Sequence, residues 1–256
     1  MKSNTSTEMH PDDDMVGGSI THYESVGKEM AAHVEVAARD LGLSAPHILE
    51  LPCGYGRVTR HLVKLFPAER ILACDIMVPA VEFVATKFGV KGHPAEIPVN
   101  ELTGIATDNF DIAVMGSLIT HLSAVNSHTL LQHFSRVVRP GGIAIVTTHG
   151  IRSRQLLGDN DIYEIGEQAR QYLIQQYDSG RFGFVNYLPD HSFEAKTVDY
   201  IGDSYGISLI PDQWMTEISQ TLGLNIIKKM VGGWDNHQDV FFLQKQNTSL
   251  GHKFSL

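Results

Sequence analysis

Short apolar runs alternate with longer amphipathic segments along residues 45–150. The apolar runs predict strands buried on both faces, and segments with apolar residues at every third or fourth position predict helices. Strands are predicted at 48–52, 70–75, 90–92, 110–115 and 143–147, and helices at about 57–66, from Pro79 to Gly89, and at about 124–138. Strands that alternate with helices in this way are typical of a mainly parallel sheet with helices on both faces.

This alternation stops after Gly150. Residues 151–205 contain one helical pattern, at about 163–177, and a segment at 180–187 rich in glycine and aromatic residues. A helix at 211–222 and strands at 224–230 and 239–244 follow, and the two strands are close enough for an antiparallel hairpin. We therefore expect one domain over 45–246 with an insertion at about 151–205. A helical segment at 19–44, a disordered tail at 1–18 and a flexible tail at 247–256 complete the expected organisation.

Composition narrows the class of protein. The chain has 256 residues, of which 43% are hydrophobic and 19% charged, and its net charge of −9 argues against a nucleic-acid partner. Cys53 and Cys74 are the only cysteines, so no disulfide framework is expected. The sequence has no signal-peptide pattern and no apolar run of the ~18 residues that a membrane span needs, so we expect a cytoplasmic protein without a membrane partner. Although 13 histidines are present, none has metal-ligand spacing, and no metal is expected.

The most informative local pattern is a glycine turn between two strand-end acids. The predicted strand 48–52 contains Glu50 and leads into Gly54-Tyr55-Gly56, and the next strand ends at Asp75. Glycine lets the backbone approach a ligand closely because it has no Cβ and reaches positive φ without strain. Two acids around such a turn suit a nucleoside with ribose hydroxyls. The alternative is that both acids serve only as helix-capping or turn residues.

A dinucleotide is a poor fit to this turn. The dinucleotide fingerprint needs a third glycine, and Thr59 stands in its place. Glu50 would also lie beside the pyrophosphate and repel it. A ligand with a cationic or zwitterionic group fits better.

The chain resembles the class I S-adenosylmethionine-dependent methyltransferases over roughly 45–150, and more loosely to 245. The residues that carry the resemblance are Glu50 to Arg57, Asp75, Phe110 to Ser117, and Arg139 to Gly142. The resemblance implies an α/β, three-layer, Rossmann-like methyltransferase fold, whose seven-stranded, mostly parallel sheet ends in a C-terminal antiparallel hairpin. It also implies S-adenosyl-L-methionine as cofactor and S-adenosyl-L-homocysteine as product.

The resemblance further implies where the cofactor lies. The glycine turn would pass under the methionine portion, Glu50 would face its amino group or the sulfonium, and Asp75 would accept hydrogen bonds from both ribose hydroxyls. The adenine and the methyl end would lie against segments that follow the later strands. The implied cofactor residues are Glu50, Pro52, Gly54, Tyr55, Gly56, Asp75, Ile76, Met77, Glu96, Ile97, Gly116 and Ser117.

The acceptor side is less specific in sequence. His121 and His149 follow strand ends, where ligands of open parallel sheets bind, and histidine is the commonest general base. The alternative is that neither is a base, so that His121 caps a helix start and His149 bonds a backbone carbonyl. The expected acceptor contacts are Tyr23, Tyr187, Tyr205, Trp234 and His237, although His237 also suits a solvated turn.

We expect transfer of a methyl group to an oxygen or nitrogen of a small molecule. An amine acceptor would need no strong base. The alternative function is a non-catalytic protein that binds S-adenosylmethionine. A second copy of the chain is the expected macromolecular partner.

Overall fold

A computed structural model describes residues 8–17, 19–95, 102–188 and 205–247. Its strands are β1 (Ile48–Glu50), β2 (Ile71–Asp75), β3 (Lys91–Pro94), β4 (Phe110–Met115), β5 (Val138–Thr148), β6 (Gly183–Asn186), β7 (Gly206–Leu209), β8 (Leu224–Trp234) and β9 (Gln238–Lys245). Its α-helices are α1 (Ile20–Asp40), α2 (Thr59–Leu65), α3 (Val78–Phe88), α4 (Ala124–Val137), α5 (Ile151–Asp159), α6 (Glu167–Asp178) and α7 (Asp212–Thr221).

Seven of these strands form one sheet in the order β3-β2-β1-β4-β5-β9-β8. The first five are parallel, and β9 is antiparallel to both β5 and β8. Strand order reverses between β1 and β4, so the carboxyl ends of these strands border the crevice where ligands of open α/β sheets bind. The predicted seven-stranded α/β fold and its C-terminal antiparallel hairpin are confirmed.

The helices cover the two faces of the sheet with separate apolar clusters. Successive residues of β1 point to opposite faces, with Ile48 in the cluster under α1 to α3 and Leu49 in the cluster under α4 and α7. Helix boundaries follow local signals. Ser19 caps the start of α1 by accepting from the amide of His22, and Gly89 ends α3 at a φ of 70°.

The insertion has more regular structure than its sequence predicts. Besides α6, which starts four residues later than expected, it contains α5 directly after Gly150. Strands β6 and β7 pair antiparallel in a separate two-stranded sheet. All three elements were missed, because four-residue strands and a nine-residue helix carry little periodicity. A third apolar cluster joins this insertion, with Leu157, Leu173 and Leu209 at its centre.

Residues 8–17 lie against the domain, whereas the sequence predicted a disordered tail over 1–18. The carboxylate of Asp13 caps a short 3-10 turn over Asp14–Val16 and accepts a 2.6 Å hydrogen bond from the hydroxyl of Tyr23. Glu8 pairs with Lys87 at 2.6 Å, and its carbonyl accepts from Arg60. Polar contacts of this kind are not visible as hydrophobic periodicity, so a polar composition wrongly indicated disorder for residues 8–17. We call residues 8–17 the N-terminal strap.

Candidate active site

The carboxylate of Asp75 joins the end of β2 to the glycine turn after β1. One carboxylate oxygen accepts from the amide of Gly54 at 2.8 Å, and the other accepts from the amide of Met77 at 3.0 Å. These are the contacts expected if Asp75 served only as a turn residue. With a further backbone hydrogen bond from Ile76, they leave part of the roughly four acceptor positions of a carboxylate open to ribose hydroxyls. Burial raises the pKa of this carboxyl above its usual value.

Glu50 lies beside Asp75 at the end of β1 and is almost fully buried. Its carboxyl accepts a 2.6 Å hydrogen bond from the hydroxyl of Thr59, the residue that replaces the third glycine of the dinucleotide fingerprint. Burial, with a smaller contribution from Asp75, raises the pKa of Glu50 to about 8. A buried acid of this kind is stabilised by a cation, which no residue of the described chain supplies by direct contact.

The glycine turn is open on one side and packed on the other. Gly54 has a φ of 47° and nothing within 4 Å of where a Cβ would stand, which leaves room for a ligand. Gly56 has a φ of 88°, and its Cβ would meet the ring of Phe88 at 2.6 Å. The ring of Tyr55 stacks on His10 of the N-terminal strap, with 4.3 Å between centroids. The strap therefore contacts the predicted cofactor loop directly.

A cavity of about 250 Å³ lies beyond this turn, on the acceptor side. Three of its lining side chains are histidines and three are large aromatics, namely His121, His149, His237, Tyr163, Tyr187 and Trp234. Both predicted catalytic residues line it together with three of the five predicted acceptor contacts. Met15 of the N-terminal strap and Ile207 of β7 also line the cavity, so the strap and the insertion both contribute to its walls.

His149 is held in a single tautomer. Its Nδ1 lies 3.2 Å from the carbonyl oxygen of Ser208, which only accepts, so Nδ1 carries the proton. The lone pair of Nε2 has no partner among the described residues and belongs to a ring that lines the cavity. Burial, with lesser contributions from His237 and His121, lowers the pKa of His149 well below its ordinary value. His149 is therefore neutral at pH 7, as a proton acceptor must be.

His121 is held by strand β7, which also contains Ser208. Its Nδ1 lies 3.0 Å from the carbonyl oxygen of Gly206 and 3.2 Å from the hydroxyl of Tyr187, and its ring stacks on Tyr205. Gly206 and Ser208 are alternate residues of β7, so their carbonyls point the same way. One strand of the insertion thus orients both histidines, whose ring centroids are 6.0 Å apart.

A polar chain forms the opposite wall. The hydroxyl of Thr147 donates to Gln238, the amide of Gln238 donates to Ser117, and the amide of Ser117 donates back to Thr147, at 2.6, 2.8 and 2.7 Å. Ser117 has a φ of 55°, in the left-handed region that few non-glycine residues occupy. Of these three residues only Ser117 was named as a site residue from the sequence. Thr147 and Gln238 flank the predicted His149 and His237, and the register of β5 with β9 brings them together.

His237 lies in the hairpin turn between β8 and β9, and it is half-buried instead of fully exposed. It stacks on His149 with 5.2 Å between centroids, and its Nε2 lies 2.8 Å from the hydroxyl of Tyr163. Asp235 and Asp239, which flank it in sequence, do not orient it by hydrogen bonds. Asp239 instead accepts from the amides of Gly232 and Ile151. The sequence missed Tyr163, because a tyrosine in an irregular segment carries no local signal.

The remaining predicted residues lie in different surroundings. Trp234 is buried over Gly116 and donates to the carbonyl of Val26. Tyr205 lies near enough to Asp75 for that charge to act on it, and burial is the main cause that raises its pKa to about 12. Tyr23 lies outside the cavity lining, because its hydroxyl is engaged by Asp13.

The other predicted cofactor positions lie beside the glycine turn or outside the described residues. Pro52, Ile76 and Met77 are half-buried next to the turn, and Glu96 and Ile97 lie outside the described residues. Cys53 is buried in the apolar cluster under α1 to α3. In the part of the chain that the structure describes, no cluster suited to a metal ion occurs and no helix is long and apolar enough to cross a membrane.

The sheet order, the reversed last strand and the glycine turn between two strand-end acids define a Rossmann-like protein of the methyltransferase type. In agreement, residues 48–142 match the family model described as a methyltransferase domain. Residues 48–142 are thus similar to a methyltransferase domain. No curated protein matches the sequence.

Solved structures share the fold at low sequence identity. A methyltransferase from Clostridium acetobutylicum, described as S-adenosylmethionine-dependent, is 15% identical with a TM-score of 0.59, over 92% of this chain and 96% of that one. Streptomyces venezuelae DesVI is 13% identical with a TM-score of 0.57, over 91% and 96%. A Burkholderia thailandensis 1,6-didemethyltoxoflavin-N1-methyltransferase, solved with 1,6-didemethyltoxoflavin and S-adenosylhomocysteine, is 14% identical with a TM-score of 0.55, over 91% and 81%.

Proposed function

We propose that this protein transfers the methyl group of S-adenosyl-L-methionine to an oxygen or nitrogen of a small molecule. The observation that carries the proposal is the position of the cavity. The ring of His149 lines it, beyond a glycine turn flanked by Glu50 and Asp75. A cofactor on the turn and an acceptor in the cavity would meet at Gly116 and Ser117, as an in-line transfer requires.

The cofactor half of the proposal rests on complementary charge. Asp75 offers acceptors to the ribose hydroxyls, and the buried Glu50 gains a partner when the ammonium or sulfonium of the cofactor arrives. The Burkholderia neighbour, which shares the fold, binds S-adenosylhomocysteine, and this supports the same cofactor here.

The acceptor half rests on the basicity of His149. Its lowered pKa makes it a weak base that stays neutral at pH 7, and it suits an acceptor whose own proton is acidic. His149 takes that proton on Nε2 as the acceptor atom attacks the methyl group, while β7 keeps Nδ1 engaged. The cavity of about 250 Å³ favours a small, flat acceptor between aromatic rings. Residence in the cytoplasm and pairing with a second copy stay predictions from sequence.

Calorimetry with S-adenosylhomocysteine, followed by a search for methyl incorporation, tests the proposal. We expect micromolar or tighter binding, and transfer of label from methyl-labelled S-adenosylmethionine into a fraction of small metabolites. No affinity for either nucleoside would refute it. Tight binding without turnover in any fraction would instead favour a non-catalytic binding protein.

A further inference from the structure

Arg57 is a cation at the cavity that has no hydrogen-bond or ion-pair partner among the residues that the structure describes. It follows Gly56 and precedes α2, and its half-buried side chain lines the cavity. Within the described ranges its guanidinium makes no hydrogen bond and no ion pair, and it lies over the face of Trp234, 5.2 Å from the ring centroid. Five donors in a fixed fork therefore remain to be satisfied.

Arg60, three residues further on, is an arginine of the same region whose guanidinium donors have partners. Its guanidinium donates to the carbonyl of Gly56, to the carboxylate of Glu24 and to the carbonyl of Glu8. Structural arginines in this protein thus find oxygen partners, even when they are buried. Arg57 differs because it faces the cavity instead of the strap.

The acids around Arg57 do not neutralise it by contact. Asp13 is bonded to Tyr23, and Asp235 pairs with His22 at 3.3 Å. Glu50 is bonded to Thr59. These charges act on Arg57 only from a distance, and burial lowers the pKa of its guanidinium. An uncompensated cation in such a place is costly unless a ligand repays it.

We propose that Arg57 is the anion-binding residue of this site and holds a carboxylate where the glycine turn meets the cavity. A guanidinium that is stacked on an aromatic ring, with its edge exposed, matches a carboxylate in two parallel hydrogen bonds. Two molecules could bring that group, namely the amino-acid end of the cofactor and an acidic acceptor. The inference rests on the proposed function, because it places a ligand in the same cavity.

Calorimetry on the full chain separates these sources. The variants are Arg57→Gln, Arg57→Lys, which keeps the charge but not the fork, and Arg181→Gln as a control on the exposed surface. Each is titrated with S-adenosylhomocysteine and with 5′-methylthioadenosine, which lacks the amino-acid carboxylate. Each is then saturated with S-adenosylhomocysteine and titrated with 4-hydroxybenzoate and with neutral 4-hydroxybenzamide. Thermal melting confirms that the variants are folded.

If the cofactor supplies the carboxylate, Arg57→Gln weakens S-adenosylhomocysteine at least about tenfold and leaves 5′-methylthioadenosine unchanged. If the acceptor supplies it, both nucleosides bind as before, and a preference of the wild type for the benzoate over the benzamide disappears. In either case Arg57→Lys lies between wild type and Arg57→Gln.

The proposal is overturned if Arg57→Gln changes no affinity, or if it weakens both nucleosides equally, since that would mean general damage to the turn. Failure of the proposed function looks different, because the wild type would then bind neither nucleoside.

Discussion

The cofactor edge (residues 48–77) and the acceptor cavity are assembled over very different distances along the chain. The hydrogen bonds that shape the cofactor edge join residues 9 and 21 positions apart, from Thr59 to Glu50 and from Gly54 to Asp75. Hydrogen bonds that shape the cavity reach further along the chain, over 59 positions from His149 to Ser208 and 121 from Gln238 to Ser117. The cofactor edge is thus a product of local sequence, whereas the cavity depends on how the insertion and the final hairpin pack.

This difference divides the expected effects of mutation. Damage to the cofactor edge should act on affinity for the nucleoside, and damage to the cavity should act on turnover with nucleoside affinity preserved. Four variants test this division between nucleoside affinity and turnover, from the largest expected effect to the smallest.

The His149→Gln variant should lose about 10²–10⁴-fold in kcat, because glutamine cannot take a proton in the transition state. Its affinity for S-adenosylhomocysteine should equal that of the wild type. Rates of methyl transfer and calorimetry measure the two quantities, and His128→Gln on α4 is the control. Undiminished kcat would remove His149 from the reaction.

The acidic limb of the pH profile sharpens the same prediction. The neutral form of His149 is the active one, and its pKa is lowered, so activity should persist as pH falls past 6.5 and drop only below it. An acidic limb centred above 6.5 would assign the profile to another group.

The Asp75→Ala variant should bind S-adenosylhomocysteine about 10²-fold more weakly, because two hydrogen bonds to a charged acceptor are lost. At saturating cofactor, its kcat should stay within a few-fold of the wild type. Asp75 also holds the amides of Gly54 and Met77, so Asp75→Asn serves as a second variant that keeps one acceptor. Unchanged affinity in both variants would show that Asp75 is a turn residue only.

The cofactor edge was largely predictable from the sequence, whereas much of the cavity was not. The strand ends at Glu50 and Asp75 and the glycine turn between them could be predicted from the pattern of 30 residues. Arg57 was quoted within the motif but given no role, because only its lack of a partner in three dimensions makes it notable. Tyr163, Gln238 and strand β7 could not be predicted, because their roles arise from contacts between distant segments with no periodic signal.

The Gly206→Ala variant attacks the cavity without touching a titratable group. A Cβ on Gly206 would stand 1.9 Å from the carbonyl oxygen of Val185, so β7 must shift away from β6. We expect a loss of about 1–3 kcal/mol in unfolding free energy and a fall in kcat, because β7 orients both histidines. Denaturant unfolding and methyl transfer measure these effects.

Gly158→Ala in α5 is the matched control within the insertion, because its Cβ would meet only the flexible end of Arg154. Nucleoside affinity should be unchanged in both variants. Equal losses of stability and kcat in the two variants would mean that the insertion tolerates no change. That result would contradict the role assigned to β7.

The smallest change in affinity is expected for a substitution of Glu50. It should be accompanied by a change in proton release that identifies this residue. The pKa of this carboxyl is about 8 in the ligand-free chain, so most molecules carry its proton at pH 7. A cationic group beside Glu50 favours the carboxylate and lowers that pKa, so binding should release protons near neutral pH and none well above pH 8. The measured binding enthalpy will then depend on the ionisation enthalpy of the buffer.

Glu50→Gln removes the titrating group while keeping an acceptor for Thr59. Affinity should fall by only about tenfold, since one charge-assisted contact is lost, and the buffer dependence should vanish. By the same linkage, Glu50 makes the folded state of the wild type lose stability as pH rises from 4.5 through 8, and the variant lacks that contribution. Asp75 also has a raised pKa, so proton release that persists in Glu50→Gln would assign the proton to Asp75. In that case Glu50 would not be the residue that faces the cationic end of the cofactor.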